Sequence, residues 1–225
     1  LTFNFFQLRE KLEKCVKVVD EKRSEIPDLY ISYLVAAEDY RSSFHYGIDQ
    51  VGIFRALYKR VLSSEIQGAS TIEQQFARVV IDDYAYSLQR KIKEQLLAIL
   101  LANKRNKADI AKAYLAIAYY GHDCEGVKGI ANIVGTNLML ASENQIISIV
   151  ARLKYSKPYS NVAKWEVRFN QRISYIKKRH QKAANKSRQR MLGFPQFSGH
   201  ASITPQEEKT DAENDHGEEN PTVRH

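Results

Sequence analysis

The sequence predicts an all-α fold: a single domain followed by a disordered C-terminal tail. Three observations carry this. Apolar residues recur every three or four positions through almost every segment up to about residue 190, and no useful stretch alternates as a strand would. With 225 residues, 44% hydrophobic and 27% charged, the chain is long enough for one core. From Leu192 onward, glycine, proline and acidic residues replace the apolar periodicity, so little surface is left to offset the entropy of ordering.

The elements follow in order. Residues 5–23 are amphipathic. Pro27 restarts the chain, and IPDLYISYLVAAEDY presents Leu29, Ile31, Leu34, Val35 and Ala36 as a broad apolar face ending at Glu38 and Asp39. YRSSFHYGID reads as a loop, and residues 51–62 return to helical spacing. SSEIQG is a break before the helix STIEQQFARVVI. A long helix is expected over 86–104, and Asn106 can cap the next, KADIAKAYLAIAYY, which should stop at Gly121. Further helices are expected over 125–139, from a Ser142-x-x-Gln145 capping box to about Lys154, and over about 162–190. The expected division is an N-terminal helix over 1–26, the main domain over 27–192 and the tail over 193–225. A chain beginning at Leu1 rather than Met leaves room for a preceding segment.

Charge divides along the same line. Residues 193–225 hold two basic and seven acidic residues, a net of −5, so residues 1–192 carry +13 of a chain whose total is +8. Such a body favours a polyanionic partner, whether nucleic acid, anionic lipid headgroups or pyrophosphate. The basic run over 177–190 reads better as a solvated helix or a membrane-surface contact than as a nucleic-acid site. Cys15 and Cys124 are the two cysteines, and GHDCEG around Cys124 has no second cluster of zinc-ligand spacing to complete it. No apolar run approaches the roughly 18 residues of a membrane span.

Three clusters could carry chemistry. In GASTIEQQ, residues 68–75, Ser70-x-x-Glu73 has capping-box spacing, while Gly68, Thr71, Gln74 and Gln75 exceed what a cap requires. A glycine-entered helix N-terminus also offers free N–H groups to an anion. In AAEDYRSSFHYGID, Glu38 and Asp39 stand where an apolar helix meets a loop, so a raised pKa and general base or acid work are open to them. In RKIKEQLLAILL, Arg90, Lys91 and Glu94 share a helix face.

Together, these clusters resemble the peptidoglycan glycosyltransferases, the transglycosylase domains of class A penicillin-binding proteins and their monofunctional relatives. Glu38, Asp39, His45, Gly47 and Asp49 match the first motif. Gly68, Ala69, Ser70, Thr71, Ile72, Gln74 and Gln75 match the second, and Arg90, Lys91 and Glu94 the third. The resemblance covers about residues 28–160.

It implies a lysozyme-like fold, lipid II and the growing glycan strand as substrates, and chain extension with inversion. It implies Glu38 as the base and Glu94 beside the leaving pyrophosphate, with Lys91, Arg90 or a divalent metal (Mg or Mn) as its partner. Asp39, Arg41, His45, Arg55, Ser70, Thr71, Gln74, Gln75, Arg78, Arg90 and Lys91 become the candidate substrate-binding set. It also implies a membrane surface, the outer face of the bacterial cytoplasmic membrane; the sequence itself gives no transpeptidase domain, so a crosslinking partner is expected to be another chain. The alternative is a weak or inactive scaffold of the same fold that binds lipid II or glycan. Departures from the family pattern leave that open: Ser42 for phenylalanine, Tyr46 for proline, Glu73 for threonine, Arg78 for lysine, and Ala102 and Ala116 for a glutamate and an asparagine.

Overall fold

The computed structural model describes residues 5–63, 70–85 and 87–191. The expected tail lies outside these residues, as do Gly68 and Ala69 of the second motif.

Helices dominate, as the periodicity predicts. They are α1 (Phe5–Lys22), α2 (Leu29–Glu38), α3 (Gln50–Ser63), α4 (Ile72–Ile81), α5 (Leu88–Lys104), α6 (Lys107–Ile117), α7 (Gly126–Val134), α8 (Glu143–Lys154) and α9 (Val162–Met191). Several boundaries rest on the side chains that predicted them. Asn106 accepts from the Asp109 amide at the start of α6. Ser142 and Gln145 form a reciprocal capping box at α8, satisfying two otherwise orphaned donors.

Two expectations require correction. The helix KADIAKAYLAIAYY ends at Ile117, and Tyr119–Gly121 pairs with Cys124–Glu125 as a small antiparallel hairpin, β1 and β2. Glycine allows this: Gly121 has φ +133, and a Cβ there would meet the Lys157 backbone at 2.7 Å. The helix expected over 125–139 is shorter, because Gly135 (φ +95) terminates α7, and Leu138–Leu140 forms a 3-10 turn.

The core joins α1, α4, α5 and α6 on one side to α2, α8 and α9 on the other. Tyr30, Leu34, Phe76, Leu101, Leu115 and Ile147 are fully enclosed in it. Tyr30 buries its hydroxyl by donating to the Leu138 carbonyl at 3.1 Å, so the polar tip is not left unpaired. Among the described residues no helix is long and apolar enough to cross a membrane.

Candidate active site

The cleft is built by five segments: the C-terminal end of α2, α3, α4 with Ser70 just before it, the C-terminal end of α8, and one face of α9. It encloses about 880 Å³. Seven basic side chains line it (Arg55, Lys59, Arg78, Lys154, Arg168, Arg172 and Arg179), and Glu38 is the one acid doing so among the described residues. A field of that sign concentrates an anionic ligand.

Glu38 ends α2 with its side chain 14% exposed. Its carboxylate accepts from Gln75 Nε2 at 3.2 Å and from Arg172 Nη2 at 2.5 Å. Gln75 in turn accepts from the Tyr114 hydroxyl at 2.9 Å. Burial first, then the nearby Glu38 charge, pushes that phenol well above its usual range, so Tyr114 remains a donor. The Gln75 amide therefore ties the second motif to Glu38 of the first. Arg172 supplies the charge that a shielded carboxylate requires.

Arg172 escaped the sequence reading, as did Arg168, Tyr175 and Arg179. All four line the cleft from α9 at spacings of four, three and four residues. That helical repeat of cations and an aromatic was the signal available in the helix expected over about 162–190. Arg179 lies 3.9 Å over the Tyr40 ring, and Arg55 donates to the Tyr40 hydroxyl at 2.5 Å. Tyr40 is thus gripped by two guanidiniums at the cleft edge.

Arg90, Lys91 and Glu94 do not line this cleft. They stand behind Arg78, which does. Glu94 accepts from Arg78 Nε at 3.0 Å, Arg78 Nη2 at 2.9 Å, Arg90 Nη1 at 2.5 Å and Lys91 Nζ at 2.6 Å. Burial would raise the Glu94 carboxyl, but the bonds and charges of Arg78 and Lys91 outweigh it and hold the pKa below its usual value. Lys91 is pulled down by burial, against the opposing pull of Glu94. Its ammonium also reaches Ser70 Oγ at 3.1 Å and Gln74 Oε1 at 3.3 Å.

A divalent metal on Glu94 does not suit this arrangement. A carboxylate offers about four lone-pair positions, and four bonds from Arg78, Arg90 and Lys91 fill them, with three positive charges already set against its one negative charge.

The remaining candidates frame the site from behind. Thr71 caps α4, accepting from the Gln74 amide, and donates to the Gly47 carbonyl at 2.7 Å. Gly47 (φ +82) is obligatory, since a Cβ would lie 2.4 Å from the Ala98 carbonyl oxygen of α5. Arg41 donates to Asp49 at 3.2 Å, and Asp49 accepts from the Gly52 amide at the start of α3. Asp39 bonds His45 Nε2 at 2.9 Å.

The capping box expected from Ser70 and Glu73 is absent. The cap falls one residue later, on Thr71, because Gly47 engages Thr71 and Lys91 engages Ser70. Glu73 then occupies the second helical position and turns inward, 1% exposed, with Lys107 Nζ 3.2 Å from its Oε1. It does not line the cleft.

The fold, the cationic cleft and the three motifs together define a glycosyltransferase. The profile of the Transglycosylase family matches residues 9–181, and the chain belongs to that family. Over 110 residues it is 40% identical to penicillin-binding protein 1A of Escherichia coli, covering 48% of this chain and 13% of that protein. Over 131 residues it is 35% identical to penicillin-binding protein 1A of Haemophilus influenzae, covering 56% of this chain and 15% of that protein. A monofunctional glycosyltransferase of Staphylococcus aureus is 27% identical over 181 residues, 76% of this chain and 67% of that protein. The chain thus spans only a small part of the penicillin-binding proteins it matches.

Proposed function

We propose that this chain polymerises lipid II into glycan strands at a membrane surface. The observation that carries the reading is Glu38, a shielded carboxylate bonded to Gln75 and set in a cleft whose other charged lining is cationic.

In this scheme Glu38 removes the proton from the acceptor 4-hydroxyl. The oxygen attacks the anomeric carbon of the donor strand, with inversion. The anomeric carbon–oxygen bond breaks, and the lipid pyrophosphate leaves with its electron pair. Fixed cations aimed at the departing charge form the larger catalytic contribution. Arg78 is the best placed of them, because Glu94 clamps its guanidinium through two bonds. Glu94 is then a positioning residue that acts through Arg78. Glu73 does not compete for pyrophosphate in this scheme, since it is buried outside the cleft.

Membrane contact rests on α3. Phe54, Tyr58 and Leu62 are 73%, 67% and 65% exposed along it, with Phe44 and Tyr46 also exposed nearby in sequence. An exposed apolar helix with interleaved cations suits a bilayer interface, which in this scheme is the outer face of the cytoplasmic membrane. A transpeptidase would act on the product strand.

The test is incubation with labelled lipid II in liposomes. Wild-type protein should form polymer. Glu38→Gln should lose at least about a hundredfold in rate while still binding substrate. Bound substrate without polymer in the wild type would establish the scaffold reading instead.

A further inference from the structure

Glu73 has no place in the proposed reaction, yet its setting is unusual. Both carboxylate oxygens are buried and neither has a hydrogen-bond partner in good geometry. Gln75, two positions on and about 200° around the helix, faces the cleft, whereas Glu73 faces the opposite side. There it meets Asp39 and His45, and one ligand atom from each of the three lies within 4.8 Å of the others. Asp39, His45 and Glu73 are all buried.

The Lys107 ammonium occupies this pocket. It lies 2.6 Å from the Ser42 carbonyl, 3.1 Å from His45 Nδ1 and 3.2 Å from Glu73 Oε1. An ammonium only donates, so Nδ1 accepts and the ring proton sits on Nε2, facing Asp39. A carboxylate behind a histidine whose other nitrogen faces a cation is the arrangement that orients metal-binding imidazoles. The charges also leave an imbalance. Two buried carboxylates stand around one ammonium, Glu73 in contact with it and Asp39 across the His45 ring, and a divalent ion in its place would balance both charges. Lys107 can vacate the position, its side chain being 30% exposed.

We propose that Glu73, His45 and Asp39 form a divalent-cation site in which the metal takes the position of the Lys107 ammonium. Glu73 and His45 Nδ1 would be ligands, with the Ser42 carbonyl beside them. Asp39 would hold the ring from behind. One imidazole with oxygen donors suits manganese or zinc. The site is separate from Glu94, whose carboxylate is filled by cations, and it depends on Glu73, the residue that departs from the family threonine.

The experiment uses the full chain after removal of metal with a chelator. Mn²⁺ is titrated while the free-ion signal is followed by electron paramagnetic resonance, and Zn²⁺ is followed by the shift in melting temperature. One ion should bind per chain and raise the melting temperature. Glu73→Thr should weaken binding at least tenfold. Lys107→Met should tighten it, because the competing ammonium is gone. Absence of one-to-one binding, or binding unchanged in Glu73→Thr, would overturn the proposal. So would a folded Lys107→Met that binds no more tightly than wild type. If Lys107→Met does not fold, the wild-type and Glu73→Thr titrations decide the matter.

Discussion

Lys107→Met probes how the buried charge behind α4 is held. Glu73 and Lys107 stand 3.2 Å apart, with side chains 2% and 30% exposed. At an effective dielectric near 20, unit charges at that distance attract by about 5 kcal/mol. Solvent reaches the lysine end, so part of that is screened. Removing one partner of a buried pair costs about 3–5 kcal/mol, because the other charge remains without compensation. Methionine preserves the stem but leaves Glu73 and Asp39 facing each other without the ammonium, and Ser42 and His45 lose a donor. We expect a loss of about 3–4 kcal/mol in metal-free protein, or about 10 °C in melting temperature for a domain of this size. Glu73→Thr should be far milder, about 1 kcal/mol or less, since Lys107 retains two acceptors and access to water. The double variant should recover most of the Lys107→Met loss. Urea and thermal unfolding of the four proteins measures the coupling. A Lys107→Met protein within about 1 kcal/mol of wild type, or strictly additive effects, would refute the reasoning.

Other outcomes can be checked alongside. Glu94 has a folded-state pKa below its usual 4.5, so its contribution is complete above that pH and is lost as pH falls through the lower folded value. Stability should therefore hold from pH 7 to about 5 and decline below about 4.5, a decline that Glu94→Gln reduces in pH-dependent melts. At pH 7 that variant should be about 2–3 kcal/mol less stable, under the value for a fully enclosed pair because its three cations are partly exposed. Phe54→Ser should weaken flotation with anionic liposomes without lowering the melting temperature, and unchanged flotation would remove α3 from the membrane contact. Burial pushes the Cys15 thiol up to about 12 from 9.0, roughly a thousandfold less thiolate, so thiol reagents should modify Cys124 in the folded protein and Cys15 only on unfolding.

The sequence by itself determined the helices, because their signals are local. Caps at Asn106 and Ser142, the break at Pro27, and apolar spacing act within a few residues of where they are read. It also determined that Arg90, Lys91 and Glu94 meet, since positions three and four apart share a helix face. The motif residues were legible for the same reason, each being a short pattern along the chain. The tertiary structure alone decided their company. Arg172 reaches Glu38 from 134 residues away, and no local pattern ties α9 to the end of α2. The sequence placed the cap of α4 on Ser70, although the Thr71 hydroxyl can accept the same kind of bond. Contacts from Gly47 and Lys91, distant in sequence, settled the choice in favour of Thr71. That single shift moved Glu73 out of the capping box and into the pocket of Asp39, His45 and Lys107. A hydroxyl or a carboxylate carries the same bonding capacity wherever it stands, but which partner it bonds is set by the groups that folding brings within about 3 Å.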